Sequence, residues 1–206
     1  MSDRTPASYS VAARLCLIAL LLASCAPPPR PRSPFADPRF QREKPLAYTP
    51  EGDFSYWDDP GGEGRIRVKI DLSDQAAYIY RGQQEIGRSR VATGLYTHPT
   101  PRGSFKIIEK EPEKRSTLYG EILDKNDMVV KRDGDSRYDT IPPGGRFIGA
   151  RMPYWMRLTS TGIGMHVGPI PTPGLPASHG CIRMRKKVAV PLYRVAPLGT
   201  PVEIVD

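Results

Sequence analysis

The chain has 206 residues, with 30 Lys and Arg against 22 Asp and Glu and a formal net charge of +8. With 39% hydrophobic residues and a mean hydropathy of −0.43, it has room for one domain with added segments. It is too polar for a multi-span membrane protein.

Residues 1–25 read as a targeting segment. Arg4 and Arg14 supply positive charge, and Leu15 through Leu22 form an apolar run of signal-peptide length, too short to span a bilayer comfortably. The run ends in Leu22-Ala23-Ser24-Cys25, an apolar residue, two small ones and a cysteine. That pattern resembles a bacterial lipobox, and it predicts acylation of Cys25 and anchoring to a membrane surface. An ordinary signal peptide with a chance cysteine is the alternative. Because Ala26 follows rather than aspartate, a diderm host is expected to sort the chain to the periplasmic face of the outer membrane.

Residues 26–64 read as a Pro-rich tether. Pro27, Pro28, Pro29, Pro31, Pro34, Pro38, Pro45 and Pro50 favour extended chain. Asp58-Asp59-Pro60-Gly61-Gly62 is expected to be the last loop before a domain over 65–206.

From Arg65 the pattern is that of strands. Ile66, Val68, Ile70 and Leu72 alternate with Arg67, Lys69 and Asp71, the period of a half-buried strand. Two further strands are expected at 76–80 and 86–93, joined by a turn at Arg81-Gly82-Gln83. Thr93-Gly94 and Thr100-Pro101-Arg102-Gly103-Ser104-Phe105 follow. Pro101 and Gly103 set a tight entry into a strand that buries Phe105 and Ile107. His98 falls between the two motifs and is expected to be a surface loop residue. The charge run Glu109–Arg115 is expected to be a solvated loop. Short strands are expected at 121–123 and 128–130, and a turn at Asp133-Gly134-Asp135. Residues 147–149 suggest another strand, followed by 152–158, where Tyr154 is expected to reach a groove. Trp155 and Met156 suit core or groove equally.

Chemistry concentrates in Ser178-His179-Gly180-Cys181-Ile182-Arg183-Met184, with His166 fifteen positions before the cysteine. Of three cysteines, Cys16 leaves with the signal segment and Cys25 takes the lipid, so Cys181 stands without a disulfide partner in an oxidising compartment. A lone exported thiol beside a histidine and a glycine reads as a nucleophile: an imidazole takes its proton, and backbone amides receive the charge on an attacked carbonyl. A buried structural cysteine is the bland alternative. After the motif, Val188, Leu192 and Val195 have helical spacing, with Pro191 requiring a helix that is short or begins near it. Residues 202–205 close with a strand. Alternating strands, short turns and one helix predict a mainly β domain, a β-sandwich with one short helix after the cysteine.

The cysteine motif, with His166 and the upstream Thr-Gly and Thr-Pro-x-Gly-x-Phe stretch in register, resembles the L,D-transpeptidase (YkuD-like) catalytic family. The resemblance covers roughly residues 65–206 and implies the same β-sandwich. It also implies acyl transfer through a thioester, without a cofactor and with peptidoglycan stem peptides as partners. Cys181 would attack the carbonyl before a terminal D-alanine, and His166 would take the thiol proton and return it to the leaving amine. Amides around His179, Gly180 and Cys181 would hold the oxyanion. An amine of another stem, or a wall-attached protein, would accept the acyl group; water instead gives a carboxypeptidase.

Other roles stay open at this point. Ser178 and His179 shape the loop or contact substrate. Arg183 binds a stem carboxylate or locks the loop through an ion pair. Gly168 is placed with the substrate-binding residues. A carbonyl near Val167 or Gly168 is the candidate for fixing the tautomer of His166; the commonest family form has glycine directly after the histidine, and here Val167 intervenes, which leaves the orienting group open. Residues 65–206 carry 23 Lys and Arg against 14 Asp and Glu, which suits carboxylate-rich stems. The same charge suits nucleic acid, but the export signal argues against that partner. A monomer is expected. Two rival readings are a zinc site built from His166, His179 and Cys181, and a non-catalytic lipoprotein that binds the wall.

Overall fold

The computed structural model describes residues 53–206. The targeting segment, Cys25 and the tether up to residue 52 lie outside the described residues. Eleven strands and one helix follow: β1 (Tyr56–Trp57), β2 (Ile66–Asp71), β3 (Ala76–Arg81), β4 (Gln84–Ala92), β5 (Gly103–Lys106), β6 (Glu109–Leu123), β7 (Val129–Asp135), β8 (Arg146–Arg157), β9 (Gly164–Val167), β10 (Ile182–Met184), α1 (Lys186–Val195) and β11 (Pro201–Val205).

The strands join in the order β5-β11-β2-β3-β4-β10-β9-β8-β6-β7, with β1 beside β4. β4 links two halves of this sheet: it pairs with β3 as far as Arg90, and its Val91 and Ala92 pair with β10. Ile66, Val68 and Ile70 of β2 and Val202 and Ile204 of β11 turn inward, while Arg67 and Glu203 face water, the alternation that a one-sided sheet demands. They meet Met156, Met165, Ile182 and Met184 from the other half in one core. α1 adds Val188, Ala189 and Leu192 to that core. The expected fold class, mainly β with one short helix after the cysteine, is the one found.

Several local expectations are corrected. The charge run 109–115 is a strand, the first half of the 15-residue β6. It carries little hydrophobic signal because cross-strand charges hold it to β8: Glu109 lies 2.7 Å from Arg157 and Glu113 3.4 Å from Arg151. Residues 133–135 are the end of β7 rather than a turn; the turn follows, where Tyr138 and Asp139 amides donate to the Asp135 carbonyl. Segments 147–149 and 152–158 are mostly one continuous strand, β8. α1 runs through Pro191 instead of starting near it, which leaves the Lys187 carbonyl without its helical donor.

The N-terminal boundary also shifts. Residues 53–59, expected within the tether, lie on the sheet. Tyr56 and Trp57 pair with Arg88 and Gly87 of β4, the Asp58 amide donates to the Ile86 carbonyl, and the Arg90 amide donates to Ser55 Oγ at 2.8 Å. Trp57 can lie here because residue 87 is glycine; a Cβ there would meet the indole at 3.0 Å. Arg81 grips Asp59 through Nε and Nη2 at 2.8 and 2.7 Å, and that grip holds the Asp59 carboxyl below the usual carboxylate range.

This clamp sets a first prediction. Asp59 and Arg81 side chains are 6% and 16% exposed, so Asp59→Ala strands a largely buried guanidinium and is expected to cost about 2 kcal/mol. Urea unfolding of the full chain measures it, and an unchanged midpoint would show that segment 53–59 contributes nothing to the domain.

Candidate functional site

The Cys181 loop is held by two hydroxyls. Thr100 Oγ1 accepts from the Gly94 amide and donates to the Gly180 carbonyl, both at 2.8 Å. Ser178 Oγ accepts from the Gly180 amide at 3.1 Å and donates to the Cys181 carbonyl at 2.6 Å. The Ala177 and Ser178 amides donate to the Thr93 carbonyl at 3.0 Å, and the Leu95 amide donates to the Ser178 carbonyl. Gly94 and Gly180 permit this contact: a Cβ on Gly94 would strike the His98 carbonyl and lie 2.8 Å from Gly180 Cα, and Gly180 itself has φ +106. The Thr-Gly and Thr-Pro stretch thus braces the cysteine loop as well as setting the entry into β5.

One expectation changes here. The Gly180 amide is already committed to Ser178 Oγ, so it is not an oxyanion donor in this loop. The glycine serves the backbone turn, and the amides of His179 and Cys181 flank the nucleophile instead.

Cys181 is a free thiol whose sulfur makes a long contact to the Gly162 carbonyl, 3.8 Å away. Burial pushes the thiol up from its ordinary value, against the Gly164 amide, Arg183 and Arg157, which favour the thiolate. His166 lies on β9, which runs parallel beside β10 with His166 opposite Arg183. Its Nδ1 is 2.8 Å from the Val167 carbonyl. A carbonyl only accepts, so Nδ1 carries the proton and Nε2 keeps its lone pair. The carbonyl of the residue that displaces the usual glycine is therefore the orienting group. His166 is 4% exposed, and burial holds it down to about 4, with the Val167 bond opposing and Arg183 assisting. The resting pair is thus a thiol and a neutral imidazole.

Both groups line one groove of about 760 Å³, with Trp155, Arg157, Tyr119 and Arg183 among its walls. His98, expected on the surface away from the site, lines it too: its ring meets His179 edge-on at 4.9 Å. Tyr119 of β6 stacks on His179 at 4.0 Å and 12°, Arg137 donates to Tyr119 Oη at 2.9 Å, and Asp133 lies 3.7 Å from His179 Nε2. His179 thus joins the cysteine loop to the β6–β7 hairpin. Its ring is committed to Tyr119 and Asp133, and Nδ1 of His166 is committed to Val167. No group of three His, Cys, Asp or Glu side chains is gathered as a metal site among the described residues.

Tyr154 is not among the groove-lining residues. It has φ +58, and its ring packs edge-on to Tyr193 of α1 at 5.5 Å. Trp155, the next residue along the strand, forms the wall instead, and Met156 is core. Gly168 touches Arg183: a Cβ at 168 would meet Arg183 Cγ at 2.8 Å. Sequence reasoning missed Tyr119, Arg137 and Asp133, which carry no motif, and Thr100, whose place inside the Thr-Pro stretch was the available signal.

Comparison with known proteins gives a consistent pattern. Residues 65–204 match the family model described as the L,D-transpeptidase catalytic domain. A Bacillus licheniformis protein named as an L,D-transpeptidase, YkuD, is 27% identical over 139 residues, covering 67% of this chain and 64% of that protein. A Mycobacterium tuberculosis protein named as L,D-transpeptidase 3 is 31% identical over 121 residues, covering 57% and 38%. The chain thus spans less than two thirds of the length of either. A solved L,D-transpeptidase structure from Mycobacterium smegmatis shares the fold at TM-score 0.51 and 22% identity, covering 68% of this chain and 58% of that one.

Two outcomes are expected from this geometry. Thr100→Val leaves the Gly94 amide and Gly180 carbonyl unpaired in a buried contact, at a cost of about 2 kcal/mol; Thr100→Ser should restore most of it, as thermal unfolding can check. The second concerns pH. The folded His166 value of about 4 lies below the ordinary 6.5, so between them the unfolded chain takes up a proton that the folded chain refuses. This stability is complete above pH 6.5 and is lost as pH falls toward 4, up to about 3 kcal/mol. Urea midpoints of wild type and His166→Asn across that window should converge on acidification. A constant gap would refute the assignment.

Proposed function

This chain belongs to the L,D-transpeptidase catalytic domain family, and from that premise we propose that it is a cysteine acyltransferase acting on peptidoglycan stem peptides. The observation that carries the reading is the His166 Nδ1 contact with the Val167 carbonyl, which leaves an unprotonated Nε2 in the groove that holds the Cys181 thiol.

In this reading the donor is a stem tetrapeptide. Cys181 Sγ bonds to the carbonyl carbon before the terminal D-alanine while Nε2 of His166 takes the thiol proton. Because burial disfavours charge on both groups, proton transfer accompanies attack instead of preceding it as a stable ion pair. The amides of His179 and Cys181 receive the oxyanion. Collapse breaks the C–N bond, the imidazolium returns its proton to the leaving amine, and D-alanine departs from a thioester. An amine of a second stem or a wall-attached protein then attacks the thioester, His166 accepts its proton, and the thiol is regenerated as the amide crosslink forms.

The same proposal places the protein in the cell envelope. Leu22-Ala23-Ser24-Cys25 supports lipidation at Cys25, and the prolines between 27 and 50 support a spacer that lets an anchored domain reach a polymer. In a diderm host the anchor would lie on the periplasmic face of the outer membrane.

The test incubates the full chain with a disaccharide-tetrapeptide and reads products by mass, with Cys181→Ala alongside. A crosslinked dimer that has lost one D-alanine, absent from the variant, is the expected result. Tripeptide without dimer would make the protein a carboxypeptidase, and no turnover would reject the enzyme reading.

A further inference from the structure

The segment that carries Cys181 is tied to β4 at both ends. At its start the Ala177 and Ser178 amides donate to the Thr93 carbonyl. At its end, where β10 gives way to α1, the Arg185 amide donates to Ser89 Oγ at 3.1 Å. β10 leaves the edge of β4 at that point, its Met184 paired with Val91. The next stretch of the same edge is taken by the arm 53–59, whose Tyr56 pairs with Arg88. The arm and β10 thus meet end to end along one strand, with Ser89 and Arg90 at the junction.

A relay of hydrogen bonds crosses that junction. Ser89 Oγ donates to the Arg90 carbonyl at 2.6 Å, the Arg90 amide donates to Ser55 Oγ at 2.8 Å, and Ser55 Oγ donates to the Asp53 carboxylate. Ser55, Ser89 and Arg90 are buried, so a group that loses its partner here has no water to replace it. Asp53 closes the relay on α1 itself: its carboxylate lies 3.1 Å from Lys187 Nζ and 3.8 Å from Arg185 Nε. The start of α1 has reason to draw an acid. It opens with Arg185, Lys186 and Lys187, and it has no side-chain cap bond and no acidic residue in its first turn. Those cations crowd the positive end of the helix dipole. Asp53 brings from outside the negative charge that the first turn omits.

Resting on the acyltransferase reading of Cys181, we infer that Asp53 and Ser55 are positioning residues for that reaction. The arm fixes the downstream end of the cysteine segment through Ser89 and α1, as Thr93 fixes the upstream end. Arg185 is four residues beyond Cys181, and the strand between them is three residues long, so slack at Arg185 reaches the thiol along one short strand. The arm precedes the family's catalytic domain, which begins here at residue 65, and none of residues 53–59 is among those lining the groove. It therefore acts on aim and not on substrate contact, and a chain cut at residue 65 lacks part of what aims Cys181.

The experiment measures kcat and KM of the full chain on a disaccharide-tetrapeptide by mass, at a temperature where circular dichroism finds each variant folded. It also measures how fast iodoacetamide adds to the Cys181 peptide, which needs no turnover. Ser55→Ala is expected to lower kcat about 5- to 10-fold, the worth of one buried hydrogen bond, with KM unchanged. The same variant should alkylate Cys181 faster by a similar factor, because a released segment uncovers the thiol. Ser55→Thr keeps the hydroxyl and should recover both. Asp53→Asn, at an exposed position, should move both in the same direction even where Ser55→Ala does not fold. Asp59→Ala loosens the far end of the arm but leaves the relay intact, and should keep the wild-type kcat. Wild-type values in Ser55→Ala and Asp53→Asn, or an equal fall in Asp59→Ala, would overturn the assignment while leaving the acyltransferase reading intact. If the wild type turns over nothing, that reading falls, and the alkylation rates alone decide whether the arm holds the segment: equal rates overturn it too.

Discussion

The Thr100 hydroxyl joins two loops that lie 80 residues apart in the chain. It accepts from the Gly94 amide and donates to the Gly180 carbonyl, at a contact where a Cβ on Gly94 would lie 2.8 Å from Gly180 Cα. Ser178 repeats the device one step later. Cys181 therefore sits on a loop fixed from both sides by short polar bridges and from beneath by β4 and β9, which flank β10. Such rigidity has a chemical purpose. An oxyanion donor helps only if it is already aimed when charge develops, and a loop free to rotate would lose that aim.

Burial then determines the electrostatic character of the pair. A neutral imidazole at a value near 4 and a thiol above its ordinary value make a poor resting nucleophile. That arrangement protects the thiol: with little thiolate present, adventitious oxidation and alkylation are slow. In the proposed mechanism, activation is left to the substrate, whose carbonyl would give the sulfur a target in the groove that His166 also lines.

Much of this was legible in the sequence. The alternation in Ile66, Val68 and Ile70 gives β2 because one-sided burial imposes a period of two. The Ser-His-Gly-Cys-Ile-Arg-Met stretch and His166 mark the centre because the chemistry needs those groups. What could not be read depends on partners distant in the chain. β6 hides as a charge run because its stabilisation comes from arginines on β8, some forty residues later. His98 and Tyr119 enter the site through topology alone. Tyr154 was expected in the groove from its amphipathic side chain, but its backbone sits at φ +58 and its ring packs on Tyr193, leaving Trp155 as the wall. The docked segment 53–59 was invisible because its two-residue strand is too short to show a period.

The groove's two walls also differ in kind. On the Cys181 side, β9 and β10 belong to the apolar core, and Met165, Ile182 and Met184 are fully buried. On the other side, β6 and β7 carry mostly exposed or half-exposed residues, held by surface ion pairs and by the Tyr119–His179 stack. Surface pairs are each worth little and weaken with salt, so they add little to the backbone ladders that join β6 to β8 and β7. The His179 ring is the point where that wall meets the rigid loop, through Tyr119 on one face and Asp133 at Nε2. The cysteine loop is thus braced against the apolar core, and the opposite wall of the groove is built from exposed and half-exposed residues.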